Sequence, residues 1–257
     1  MVKYLLKKSY QLKDLKEIEF KDLWGDRGVF TTMWIFKNPP KILFFKEHIN
    51  NLIRSTKAFS IFKSSLRSDI LNLIKNNINP KIKYNHLLRV AVNKKILSIS
   101  FRKRIKPKLN FDLKLVKLKR QKPEFKNLKY KKILSHLSKM DNSKSDIGLV
   151  VNKKILETGT SNLLFIKDKK VFAPKKNYYE GNTFKFFKTK IRKIIKKDIL
   201  LSELNNYDEI ILVGSGKGVA SVYKISQIGW KRKNLNKYNV FQRYYLKAKN
   251  KCNFYKF

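Results

Sequence analysis

The sequence predicts a mixed α/β (α+β) protein in two domains. Apolar residues recur at helical spacing in two early segments. Strand-length runs rich in β-branched and aromatic residues occur in both halves, and a basic, proline-containing stretch without apolar periodicity lies between them. The expected partition is a smaller N-terminal α/β domain over 1–110, a linker and strand over 111–123, and a larger C-terminal α/β domain over 124–257, with the boundary between Arg102 and Pro123.

The elements follow in order. Residues 1 to about 20 fit an amphipathic helix or a strand–turn–helix equally well. Gly25–Phe36 is β-branched and aromatic after a glycine turn, hence a strand. Asn38-Pro39-Pro40 closes a hairpin and Ile42–Phe45 returns. Ile49, Leu52, Ile53, Thr56 and Phe59 mark one helix. Leu66, Ile70, Leu73 and Ile74 mark a second, from Phe62 to about Asn77, ending before Pro80. LLRVAV and ILSISF pair across Asn93-Lys94-Lys95, Arg102–Asn110 connects, and DLKLVKLK alternates as a half-buried strand does. A short helix is expected at Tyr130–Met140, several short strands between Asp146 and Pro174, and a helix from about Thr183 to Lys197. EIILVG (209–214) reads as a buried strand and VASVYKI as the strand after a glycine-rich corner. A C-terminal helix with a loose tail completes the chain.

Composition excludes several classes. Hydrophobic residues make up 42% and aromatics 13% of 257 residues, too apolar for a disordered chain and enough for a real core. The single cysteine, Cys252, excludes a disulfide framework and any multi-cysteine metal site, and points to a reducing, cytoplasmic setting. No apolar run approaches the roughly 18 residues of a membrane span, and charges interrupt the N-terminal segment too often for a signal peptide. The balance of 61 Lys+Arg against 18 Asp+Glu, formally +43, would attract polyanions such as nucleic acid. The lysines are spread over the whole chain rather than gathered on one arm, so a solvated basic surface that draws anions loosely is the favoured reading.

Five places invite chemistry. Glu157 follows Ile155 and Leu156 in an apolar strand and precedes Thr158, Gly159, Thr160 and Ser161. An acid there needs a positive partner. Lys126 stands in FKNLKY with Tyr130 one helical turn on. A lysine that attacks an aldehyde must be neutral, and partial burial favours that form. Gly214–Gly218 follows a strand without forming a Walker motif or a dinucleotide fingerprint. It reads as a backbone corner with Ser215 turned to an anion, or as a plain tight turn. Asn182 or Thr183 caps a helix, or its free amides bind phosphate. His48, His86 and His136 lack metal spacing and are read as structural.

Together these pieces resemble the fold type IV pyridoxal-phosphate enzymes, the class IV aminotransferase family, from about Asp26 to Ile225. Asp26–Thr32 looks like the family's Gly-Val-Phe-Glu-Thr strand in its Phe-Thr-Thr form. Lys126–Tyr130 is similar to its lysine segment, Leu156–Phe165 to its Glu-…-Asn-Leu-Phe signature, Gly181-Asn182-Thr183 to its Gly-Ile-Thr-Arg turn, and Ser215–Val222 to its phosphate corner. The resemblance implies a cofactor cleft between the domains, pyridoxal 5'-phosphate as cofactor, an amino substrate and a homodimer. It makes Lys126 the Schiff-base lysine, Tyr130 the partner of the ring oxygen, and Glu157 the partner of the pyridine nitrogen. Asn182, Thr183 and Ser215 would hold the phosphate, with Thr31 and Lys217 meeting substrate.

The chain departs from the pattern at Asn51, where the family has a phosphate-clamping arginine, with Arg54 one turn on as the substitute. Phe184 stands at the second arginine, beside Lys185, and Lys129 at an asparagine. The favoured reaction is that of 4-amino-4-deoxychorismate lyase, on the Phe-Thr-Thr strand, the short length and the Ser215–Val219 corner. The alternatives are a branched-chain or D-amino acid aminotransferase and a non-catalytic, polyanion-binding descendant of the fold.

Overall fold

A computed structural model of the chain describes residues 3–255, which divide into two compact units. Unit 1 takes the chain up to Arg104, then Phe125–Lys131 and the described residues from Lys251. Unit 2 takes Ile105–Glu124 and Lys132–Asn250. Phe125–Lys131, the segment that carries Lys126, lies in unit 1.

Unit 1 is a six-stranded antiparallel sheet with two helices. Its strands are β1 (Tyr4–Gln11), β2 (Glu17–Ile18), β3 (Gly28–Lys37), β4 (Lys41–Ile42), β5 (Tyr84–Asn93) and β6 (Ile96–Lys103), in the order β2-β1-β6-β5-β3-β4. The ambiguous N-terminal segment is therefore a strand pair. Helices α1 (Phe45–Ala58) and α2 (Leu66–Asn77) turn Ile49, Leu52, Ile70 and Ile74 onto one face of the sheet. There they meet Val29, Met33, Leu88, Val90, Val92 and Ile99. Successive strand residues point to opposite faces. That alternation leaves Phe30, Thr32, Arg89, Ala91, Ser98 and Ser100 on the other face, an unusual mixture of polar and aromatic groups for a buried surface.

Unit 2 is built on a nine-stranded mixed sheet. Its elements are β7 (Phe111–Lys117), α3 (Lys131–Leu137, whose first residue belongs to unit 1), β8 (Ser145–Val151), β9 (Lys154–Thr158), β10 (Asn162–Lys167), β11 (Lys170–Pro174), α4 (Asn182–Lys188), β12 (Ile194–Lys197), β13 (Glu209–Gly214), β14 (Gly218–Ile225), β15 (Trp230–Lys231) and α5 (Asn236–Asn250). The order is β12-β11-β10-β13-β14-β7-β8-β9, with β15 on β14. β13 is apolar at every position from Ile210 to Val213 because both its faces are covered. Ile210 and Leu212 join a core with Phe165, Tyr207 and Trp230. The expected helix from Thr183 to Lys197 stops at Lys188, and Ile194–Lys197 instead pairs in parallel with β11. The β-branched pair Ile194-Ile195 suits that strand better than a helix.

Candidate active-site residues

Lys126 is placed by backbone pairing. Phe125–Tyr130 runs along the edge of β3: Phe30 N–H donates to the Lys126 carbonyl (2.9 Å), Leu128 N–H to the Gly28 carbonyl (2.9 Å), and Val29 bridges Asn127. Gly28 permits this approach. A Cβ there would lie 2.3 Å from the Val92 carbonyl oxygen and 2.7 Å from Leu128 Cδ1. The Lys126 nitrogen lies 5.1 Å from the Phe30 ring centroid. His48 is buried on α1, with Nδ1 2.7 Å from the Thr31 hydroxyl. Burial first, and the charge of Lys126 second, lower His48 to about 3. A neutral imidazole beside Lys126 adds no charge of its own to that corner. Thr31, expected to meet substrate, has its hydroxyl engaged on His48.

Tyr130 is buried and stacks on Trp24 at 5.5 Å, with Phe30 edge-on at 5.7 Å. Arg89 lies over the Trp24 ring at 3.7 Å, and its Nη2 donates to the Asp22 carbonyl at 2.5 Å. Its buried Nε has no hydrogen-bond partner among the described residues, and burial lowers the guanidinium to about 10. Sequence reasoning passed over Arg89 as one residue of a strand. The signal was an arginine at the centre of the apolar run Leu87–Val92. Arg54, by contrast, is exposed on α1.

In unit 2, Glu157 sits at the end of β9, 3% exposed, with Oε1 2.9 Å from the Nε of Arg120, itself 8% exposed. Its Oε2 accepts the Tyr179 amide at 3.5 Å. Arg120 is the positive partner that an acid in an apolar strand requires. It was hidden among the lysines of Lys117–Lys122. Asn162 straps the approach to α4, with its Nδ2 donating to the Tyr179 carbonyl (2.5 Å) and its Oδ1 accepting the Gly181 amide (3.0 Å). Asn182 and Thr183, both buried, open α4. The Thr183 hydroxyl has no hydrogen-bond partner among the described residues. Phe184, where the resemblance expects an arginine, is fully buried. Ser215 sits in the turn between β13 and β14. The Lys217 nitrogen turns inward, 3.2 Å from the Asn142 carbonyl and 3.8 Å from Asp146.

The family model for class IV amino-transferases matches residues 28–225, most of the chain. The chain belongs to the class IV aminotransferase family. No curated protein sequence matches this class IV chain. Solved structures share its fold. The branched-chain aminotransferase of the thermophilic archaeon Thermoproteus uzoniensis, solved with norvaline, has a TM-score of 0.75 at 14% identity, over 95% of this chain and 93% of that one. The branched-chain amino acid aminotransferase of Thermobaculum terrenum in its PLP form reaches 0.74 at 13% identity, over 95% and 94%. A Legionella pneumophila protein assigned as a 4-amino-4-deoxychorismate lyase reaches 0.69 at 15%, over 86% and 91%. Among the described residues, no helix is long and apolar enough to cross a membrane and no group of three or more His, Cys, Asp or Glu could hold a metal ion.

Proposed function

We propose that the chain is a pyridoxal-phosphate-dependent enzyme acting on a small amino substrate, favoured as a 4-amino-4-deoxychorismate lyase that releases 4-aminobenzoate and pyruvate. The observation that carries the reading is Glu157, a buried carboxylate at the end of β9 in an ion pair with the equally buried Arg120. The residues also suit the cofactor's other end, because the Thr183 hydroxyl is buried and unpartnered where a phosphate acceptor would satisfy it.

When bound, the cofactor would supply an electron sink next to the substrate's amine-bearing carbon. Glu157 would meet its ring nitrogen, and Tyr130 its ring oxygen. Asn182, Thr183 and the Ser215 hydroxyl would hold its phosphate. Lys126 is the amine that would secure the cofactor's aldehyde, then take a proton from the substrate carbon and return it. Arg89, whose buried Nε has no hydrogen-bond partner among the described residues, would read an anionic group of the substrate.

Transamination of a branched-chain or D-amino acid is the second reading, supported by the fold shared with the Thermoproteus and Thermobaculum enzymes. The Phe30-Thr31-Thr32 strand and the Legionella likeness support the lyase. The test is to load purified protein with pyridoxal phosphate and supply either aminodeoxychorismate or leucine with 2-oxoglutarate. Aminobenzoate supports the lyase, and glutamate supports the aminotransferase. A colourless protein that forms neither product and binds generic duplex with a steep salt dependence would leave the polyanion-binding descendant standing. Homodimer formation is proposed with the enzyme readings and is read by sedimentation.

A further inference from the structure

We propose that Asp146 and Lys217 are a buried positioning pair, setting the Ser215 turn against the Thr158–Ser161 corner and so setting the affinity of the chain for its cofactor's phosphate. The proposal rests on the reading of Ser215 as a phosphate ligand.

Asp146, near the start of β8, is 0% exposed. A carboxylate withdrawn this far from water is tolerated only when its oxygens are filled. Oδ1 accepts the Ile147 amide at 2.8 Å, and Oδ2 accepts the hydroxyls of Thr158 at 2.9 Å and Thr160 at 2.6 Å. Among the described residues the one cation paired with it is Lys217, 3.8 Å from Oδ2 and 4.7 Å from the Phe111 ring centroid. The Thr158 oxygen in turn accepts the amides of Thr160 (3.2 Å) and Ser161 (2.8 Å). The carboxylate thus organises the whole corner that follows Glu157.

The second turn is locked to the first by contact. A Cβ at Gly214 would lie 2.7 Å from the Ser161 hydroxyl oxygen, and one at Gly159 would lie 3.0 Å from Asp146 Oδ1. Ser215 is therefore tethered on both sides, by Gly214 packed on Ser161 and by Lys217 paired with Asp146. Their effect is on where the Ser215 hydroxyl stands.

A pair that only stabilises the fold would lower thermal stability and leave ligand preference alone. The discriminating quantity is the ratio of dissociation constants for pyridoxal and pyridoxal phosphate, measured on the full chain by fluorescence. Wild type is expected to prefer the phosphate ester. Ser215→Ala is expected to narrow the ratio, and Asp146→Asn and Lys217→Met to narrow it about tenfold, the scale of one hydrogen bond to a charged group. Pyridoxal affinity should be nearly unchanged. Lys217→Arg, which keeps the charge, should restore the ratio, and Lys217→Met suffices if Asp146→Asn does not fold. A lower melting temperature with an unchanged ratio in Lys217→Met would overturn the pair's role while Ser215→Ala still upholds the phosphate reading. A ratio unaffected by Ser215→Ala would overturn both.

Discussion

Removing the guanidinium from Arg120 tests the electrostatic core of unit 2. The Arg120–Glu157 contact of 2.9 Å joins two residues that are each less than a tenth exposed. At that separation unit charges attract by roughly 6 kcal/mol in an effective dielectric of about 20, enough to offset the several kcal/mol that desolvating each ion costs. Arg120→Met keeps much of the apolar stem but takes the cation of this pair away from the buried Glu157. Breaking one partner of such a pair costs about 3–5 kcal/mol, or roughly 6–20 °C for a chain of this size. Arg120→Met/Glu157→Leu removes both charges and should recover most of the loss. The assay is denaturant and thermal unfolding of the cofactor-free protein, followed at the transition that includes unit 2. If Arg120→Met unfolds within about 1 kcal/mol of wild type, or if the double variant is worse than either single one, the pair is not the buried partnership described.

Further outcomes follow from other sites. His48 has its folded value pushed down to about 3, against 6.5 in an unfolded chain, so its contribution to stability is intact above pH 6.5 and is lost as pH falls from there toward 3. The slope approaches about 1.4 kcal/mol per pH unit. His48→Gln should flatten that limb relative to wild type in unfolding measured between pH 6.5 and 4. Gly28→Ala drives a Cβ to 2.3 Å from the Val92 carbonyl and should destabilise unit 1 by about 3 kcal/mol. It should also slow borohydride trapping of Lys126 in the cofactor-loaded protein, because the lysine segment pairs with Gly28–Phe30. With a formal charge of +43, self-repulsion opposes compactness, and the melting temperature should climb as sodium chloride is raised from about 0.05 to 0.5 M. Arg89→Met should raise KM for a carboxylate substrate far more than it lowers kcat, as loss of a substrate-reading cation does.

Local pattern sufficed wherever periodicity and turn chemistry agree. The β5–β6 hairpin across Asn93, the helical faces of Ile49–Leu52 and Ile70–Ile74, and the apolar run of β13 were all legible, because each reports burial that neighbouring residues share. So was the composite of short motifs that carried the family resemblance, and with it the expectation of Glu157 as an acid needing a cation. The identity of that cation was not. Arg120 lies 37 positions before Glu157 in a lysine-rich run and becomes special only when folding leaves it 8% exposed beside the acid. Arg89 and Asp146 went unnoticed for the same reason, since a charged letter in a strand does not say whether its face meets water. The pairing of Lys217 was equally hidden, because Asp146, 71 residues earlier, draws its nitrogen inward. Ile194–Lys197 continued a helical pattern until β11 offered it an edge to pair with. Short-range order is written in spacing. The partner of a buried charge is set by contacts between distant segments, because the cost of desolvation is settled only when the chain has closed around it.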